Sequence, residues 1–201
     1  MNAKSNYEGT EINPEFYSDV KLLDDFSVIV VKDDAKINLV KDSINSVISK
    51  YKYKRKEKYN FEEIAVKNDT LFISKVDSKY KIIVNVKSVK KIIGLKNSTI
   101  WFNRYYSDTV DVYLTKSKLH GSLKSTLINS FKVTANNQSK INLYEISKKV
   151  LDSVTEKYSF KTQKLIFKEA EIILKNKSTL FMPKPLRLVI DADSLSTYRV
   201  Y

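Results

Sequence analysis

The stretch KINLVKDSINSVISKY, residues 36–51, decides how the chain is folded on paper. Asn38 can cap a helix there, because its side chain accepts from an orphan backbone N–H. Val40, Ile44, Val47, Ile48 and Tyr51 then fall at helical spacing on one face. The stretch follows FSVIVV (26–31), a β-branched run that predicts a buried strand, and the turn KDDAK. A second stretch, KINLYEISKKVLDSVTEKY (140–158), follows the strand-like FKVTA (131–135) and the turn NNQSK. In it Asn142 can cap, Glu145 stands close to a capping-box position, and Leu143, Ile146, Val150 and Val154 form the apolar stripe.

Other matches keep this order. TLFISK (70–75) sits beside TLFMPK (179–184), and KIIVNVKSV (81–89) beside RLVIDADSL (187–195). Residues 37 and 141, 70 and 179, and 81 and 187 lie 104, 109 and 106 apart. Short matches arise by chance in a Lys/Ile/Asn-rich chain, but the collinear order reads as a diverged tandem duplication. The unit is too long, and two copies too few, for a solenoid. The fold expected is α+β, with two similar strand-helix-multistrand halves around antiparallel sheet and a pseudo-two-fold between them. The boundaries are an arm at 1–20, a first half at 21–98, a connector at 99–130 and a second half at 131–201. Further strands are predicted at 61–66, 70–76, 79–86, 164–174, 179–183 and 186–192. The connector holds a hairpin (99–106 and 108–115) and a helix (116–130), and 88–95 is a short helix ending at Gly94.

Composition narrows the function. The 201 residues carry 36 basic and 23 acidic side chains, a net charge of +13. That balance favours a polyanionic partner, although an AT-rich genome writes lysine freely. Nine Phe and 13 Tyr in a chain that is 42% hydrophobic can build a core. With no cysteine, disulfides, thiolate catalysis and thiolate zinc sites are excluded. Three glycines leave no phosphate-cradling loop, so no nucleotide cofactor is expected. No apolar run approaches the ~20 residues of a spanning helix, and residues 1–8 lack a signal-peptide core. The expectation is an intracellular protein, cytoplasmic or nucleoid-associated, with no membrane partner.

The duplicated order of strand, helix and consecutive strands resembles the TATA-binding protein core. The resemblance covers roughly 26–90 and 131–195 and rests on TLFISKVDSKYKIIVNV and TLFMPKPLRLVID. It implies one curved sheet in a DNA minor groove, with Phe72 and Phe181 as wedges and Val84 and Ile190 as underside contacts. The family's Gly-containing turn is replaced here by KVDSK and PKP, and the 99–115 hairpin has no counterpart in it.

The candidate contacts follow from charge and aromatic content. KYKYKRKEKY (50–59) places Lys50, Lys52, Lys54, Arg55, Lys56 and Lys58 where they can neutralise phosphates, with Tyr interleaved to stack. WFNRYY (101–106) gathers Trp101, Arg104 and Tyr105, with Trp101 and Tyr105 on one face of a strand. The commoner fate of such aromatics is a core. Catalysis has little to stand on. His120 is the only histidine and reads as structural, while Asp191, Asp193, Glu169 and Glu171 read as a strand end before they read as Mg²⁺ ligands. The leading function is non-catalytic nucleic-acid binding, with DNA the first partner, in transcription, replication or genome packaging. The alternative is a structural or assembly protein of a virus or mobile element that binds other proteins.

Overall fold

The computed structural model describes residues 17–51, 59–121, 127–143 and 166–201. These hold seventeen strands and no helix. The first seven are β1 (Tyr17–Leu22), β2 (Val28–Val31), β3 (Lys36–Lys41), β4 (Ser46–Tyr51), β5 (Ile64–Lys67), β6 (Thr70–Ile73) and β7 (Lys81–Val86). Then come β8 (Lys91–Leu95), β9 (Thr99–Phe102), β10 (Tyr106–Thr115), β11 (Lys118–Gly121), β12 (Leu127–Asn136) and β13 (Lys140–Leu143). The last four are β14 (Ile166–Leu174), β15 (Thr179–Met182), β16 (Arg187–Ala192) and β17 (Thr197–Val200).

Two sheets result. The larger runs β1-β4-β7-β3-β9-β11-β13-β15-β17 and the smaller β16-β14-β12-β10-β8-β2-β6-β5. From β3 to β17, and from β6 to β16, every pairing is parallel. Every smaller-sheet strand except β5 leads into a larger-sheet strand: β2 into β3, β6 into β7, β8 into β9, β10 into β11, and so on to β16 into β17. The chain is therefore a two-sheet β-solenoid. Its first end is closed by antiparallel strands, β4 and β1 on one sheet and β5 on the other.

A five-residue motif builds five of these corners. Ala35-Lys-Ile-Asn-Leu, Ser98-Thr-Ile-Trp-Phe, Ser117-Lys-Leu-His-Gly, Ser139-Lys-Ile-Asn-Leu and Ser178-Thr-Leu-Phe-Met each enter a larger-sheet strand. Its first, third and fifth residues are buried in all five copies. The third residues Ile37, Ile100, Leu119, Ile141 and Leu180 stack in register along the core. Full burial of each stabilises by roughly 1.5–3 kcal/mol. The carbonyls of the first residues accept in turn from Thr99, Lys118, Lys140 and Thr179, each at 2.9 Å.

Just before the motif the backbone turns through positive φ, at Asp33-Asp34, Lys96-Asn97, Lys116, Asn137-Gln138 and Asn176-Lys177. Asn and Asp tolerate this region because their side chains bond locally. The lysines and Gln138 are held there by stacking: Asp34 N–H donates to Lys96 O (3.0 Å), Asn97 to Lys116 (2.7 Å) and Gln138 to Asn176 (2.8 Å).

The helices expected from periodicity are corrected by this architecture. Residues 36–51 form β3 and β4, joined at Asp42–Ser43, where Asp42 Oδ1 accepts from Ser43 N–H. Within each half the pattern alternates, and distant strands supply its partners, so β-branched residues win over the helical stripe. Residues 88–95 hold β8, and 118–121 form β11. The 142–158 helix falls mainly outside the described residues, and its start lies in β13. The expected 99–115 hairpin is a corner instead, since β9 and β10 belong to opposite sheets. The two KINL stretches do occupy equivalent places, entering β3 and β13 of the larger sheet. The two TLF stretches do not: β6 is in the smaller sheet and β15 in the larger. The α+β duplication around an antiparallel sheet is thus replaced by repeated coils and mostly parallel sheets.

Candidate functional site on the outer face of the larger sheet

Parallel register lines up outward side chains in rows across the strands, about 4.8 Å apart. One row on the larger sheet runs Lys50, Lys81, Lys36, Thr99, Lys118, Lys140, Thr179, Thr197. Lys36, Lys81, Lys118 and Lys140 are exposed and Lys50 is half-buried. None of these five lysines makes an ion pair with a described residue.

The next row runs Ile48, Ile83, Asn38, Trp101, His120, Asn142, Phe181, Arg199. One pair of rings stacks within the row, and a second joins it to Tyr201 beyond β17. Trp101 and His120 lie 5.5 Å apart at 17°, and Phe181 and Tyr201 lie 4.7 Å apart at 29°. The Arg199 guanidinium sits 6.0 Å from the Phe181 centroid. Partial burial, and then the charge on Lys118, hold the His120 pKa below its ordinary value, so the ring is neutral at neutral pH.

The smaller sheet is built differently outside. Its corresponding row reads Lys91, Asp111, Lys132, Glu171, alternating in sign. Lys132 pairs with Glu171 at 2.9 Å, and Lys91 lies 4.5 Å over the Tyr113 ring. Farther out, Glu169 is opposite Arg187, and Asp191 ends the adjacent row. Along its outward positions the larger sheet thus carries cations without a carboxylate among the described residues. The smaller sheet balances its charges.

The sequence-predicted contacts are dispersed by this geometry. Lys52, Lys54, Arg55, Lys56 and Lys58 lie outside the described residues. Lys50 and Trp101 do reach the larger outer face. Phe72 is 39% exposed on the outer face of the smaller sheet and Phe181 faces out from the larger, so the two cannot wedge one duplex from one underside. Val84 is fully buried in the core and contacts no partner. Ile190 is half-buried in β16, which again is in the smaller sheet. Tyr105 is also core. It is 1% exposed, it stacks on Phe102 at 5.0 Å, and its hydroxyl donates to Val89 O at 3.3 Å. Burial pushes that phenol up to about 12. Arg104 is exposed at a positive-φ turn, off both rows.

Two places could hold chemistry, and neither gathers it. Asp193 Oδ2 accepts from Asn176 N–H at 2.6 Å and its Oδ1 from Leu195 N–H at 3.2 Å, so it caps the last corner. Those bonds hold its pKa below the usual carboxylate range. Among the described residues no group of three or more His, Asp or Glu could hold a metal. An open cleft of about 440 Å³ is lined by Lys41, Tyr106, Asp108, Thr109, Leu127 and Asn129. In it the Asn129 amide already donates to Asp108 at 2.9 Å, and Lys41 Nζ donates to Lys87 O.

No sequence family and no curated protein matches the chain. Solved structures do. A candidate adhesin of Bacteroides fragilis aligns at 10% identity over 92% of this chain and 97% of its own, with a TM-score of 0.49. A candidate adhesin of Parabacteroides merdae aligns at 13% identity over 94% and 96%, with a TM-score of 0.43. A candidate lipid-binding protein of Parabacteroides distasonis aligns at 8% identity over 94% and 98%, with a TM-score of 0.42. The TATA-binding resemblance falls with its helices and its shared underside, and the nucleic-acid reading falls with it.

Proposed function

We propose that the chain is a binding module of the adhesive kind, which holds an anionic partner against the outer face of its larger sheet. The observation that carries this is the charge asymmetry between the two outer faces. Lys36, Lys50, Lys81, Lys118, Lys140 and Arg199 lie on one, with no described carboxylate among the outward positions. Mutual repulsion along such a row is a cost to folding, and a counter-charge on a partner relieves it. Lys91, Asp111, Lys132 and Glu171 on the other face neutralise one another and need no partner.

The test compares faces at constant net charge. Binding to immobilised polyanion is followed across a salt series for Lys36→Gln/Lys118→Gln and for Lys67→Gln/Lys91→Gln. The reading predicts a loss of affinity and a shallower salt dependence for the first pair only. Equal losses in both pairs would reduce the binding to net charge and end the proposal.

A further inference from the structure

We infer that the anionic partner is a linear acidic polysaccharide, a chain of uronic-acid-bearing pyranoses lying across the strands of the larger sheet. This deepens the function proposed above and rests on it. Three features favour a sugar polymer over another anion.

The first is periodicity. The row from Lys50 to Lys140 crosses five inter-strand steps, about 24 Å at the usual strand spacing. One step is comparable to the rise of one ring in an extended polysaccharide. Lys50, Lys81 and Lys36 stand on successive strands, Thr99 interrupts, and Lys118 and Lys140 resume. Carboxylates regularly placed along a stiff polymer can meet such cations without the polymer bending.

The second is the chemistry of the neighbouring row. Asn38, Trp101, His120, Asn142 and Phe181 intersperse two amides and an imidazole with aromatic surface. Amides both donate and accept, as sugar hydroxyls require, whereas a bare carboxylate or phosphate needs donors only. The aromatic edges suit the C–H patches of a pyranose ring. A cationic row beside an amphiphilic row therefore matches a polymer that is charged along one edge and hydroxylated along the other.

The third concerns shape. Between β4 and β15 these two rows have no protruding apolar wedge, since Ile48, Ile83, Trp101 and Phe181 are half-buried, and the exposed Val20, in register with Ile48, stands only at the β1 edge. Insertion into a lipid surface needs apolar side chains that stand clear of the cations around them.

The experiment uses the full chain with four probes: an octameric oligogalacturonate, polyglutamate of matched charge, phosphatidylglycerol-containing vesicles and a neutral oligosaccharide. Oligogalacturonate is expected to bind most tightly. Lys118→Ala/Lys140→Ala should weaken it roughly threefold to thirtyfold, the range that two exposed charge pairs supply. Asn38→Ala/Asn142→Ala leaves the charge untouched and should weaken oligogalacturonate but not polyglutamate. Circular dichroism checks that both variants fold. Polyglutamate or vesicles binding as tightly as oligogalacturonate, or no effect of the asparagine pair, would overturn the sugar inference while leaving the anionic face standing. Absence of binding to every anion, or indifference to the lysine pair, would overturn both.

Discussion

Ser98 and Ser117 sit one above the other on the corner column, 0% and 2% exposed. The Ser98 hydroxyl donates to Ser117 Oγ at 3.1 Å, and the Ser117 hydroxyl donates onward to Thr115 O at 3.0 Å. Replacing Ser98 by alanine removes one hydrogen bond and leaves Ser117 with its acceptor, a loss of about 1 kcal/mol. Replacing Ser117 removes the bond to Thr115 and also strands the buried Ser98 donor, about 2 kcal/mol in all. The double variant has no donor left to strand, so its cost should be about 2 kcal/mol rather than the summed 3. The position accepts alanine sterically, because Ala35 fills the same place one coil earlier and is fully buried. Urea denaturation of the wild type, both singles and the double closes the cycle. A coupling of about 1 kcal/mol is expected. Additivity within about 0.3 kcal/mol would refute the hydroxyl chain, because independent sites behave that way.

Three further outcomes follow from the same corners. A Cβ on Gly94 would meet Leu114 Cδ2 at 2.9 Å, Ser98 Oγ at 3.2 Å and Ser117 Cβ at 3.3 Å. Gly94→Ala should therefore destabilise by roughly 1–3 kcal/mol in thermal or urea melts. At Gly121 the close contact, 2.7 Å, is with the movable tip of Leu143, and the next is at 3.7 Å. Gly121→Ala should therefore come within about 1 kcal/mol of wild type, helped by the lower entropy of its unfolded chain. Asp193 is held below the usual carboxylate range, so in acid the unfolded chain takes up its proton first. Its contribution is complete above the ordinary aspartate value and is lost as pH falls through the folded value. Protection factors of the Asn176 and Leu195 amides, taken against the intrinsic exchange rate at each pH, should fall over that window in wild type and stay at the lowered level throughout in Asp193→Ala.

The strands were legible and their arrangement was not. FSVIVV, TLFI and KIIVNV declare themselves by β-branched residues and alternation. Residues 36–51 misled because five apolar residues also satisfied a helical stripe over a span that is in fact two strands and a turn. The Ser-led corner motif was present four times, but at uneven spacing. Ser98, Ser117, Ser139 and Ser178 lie 19, 22 and 39 residues apart, so no fixed period marks them. The cationic row was hidden for a related reason. Its lysines are spread from 36 to 140 and meet only through register, whereas the dense run at 50–58 catches the eye at once. Trp101 and His120 illustrate the same point, being nineteen positions apart and stacked at 5.5 Å.

The most direct test of the anionic face is residue-resolved lysine acetylation, with and without saturating oligogalacturonate or polyglutamate, whichever binds more tightly. The account predicts that Lys36, Lys81, Lys118 and Lys140 are protected together while Lys67, Lys91 and Lys132 react at unchanged rates. Protection spread evenly over both sheets, or concentrated on the smaller one, would contradict it.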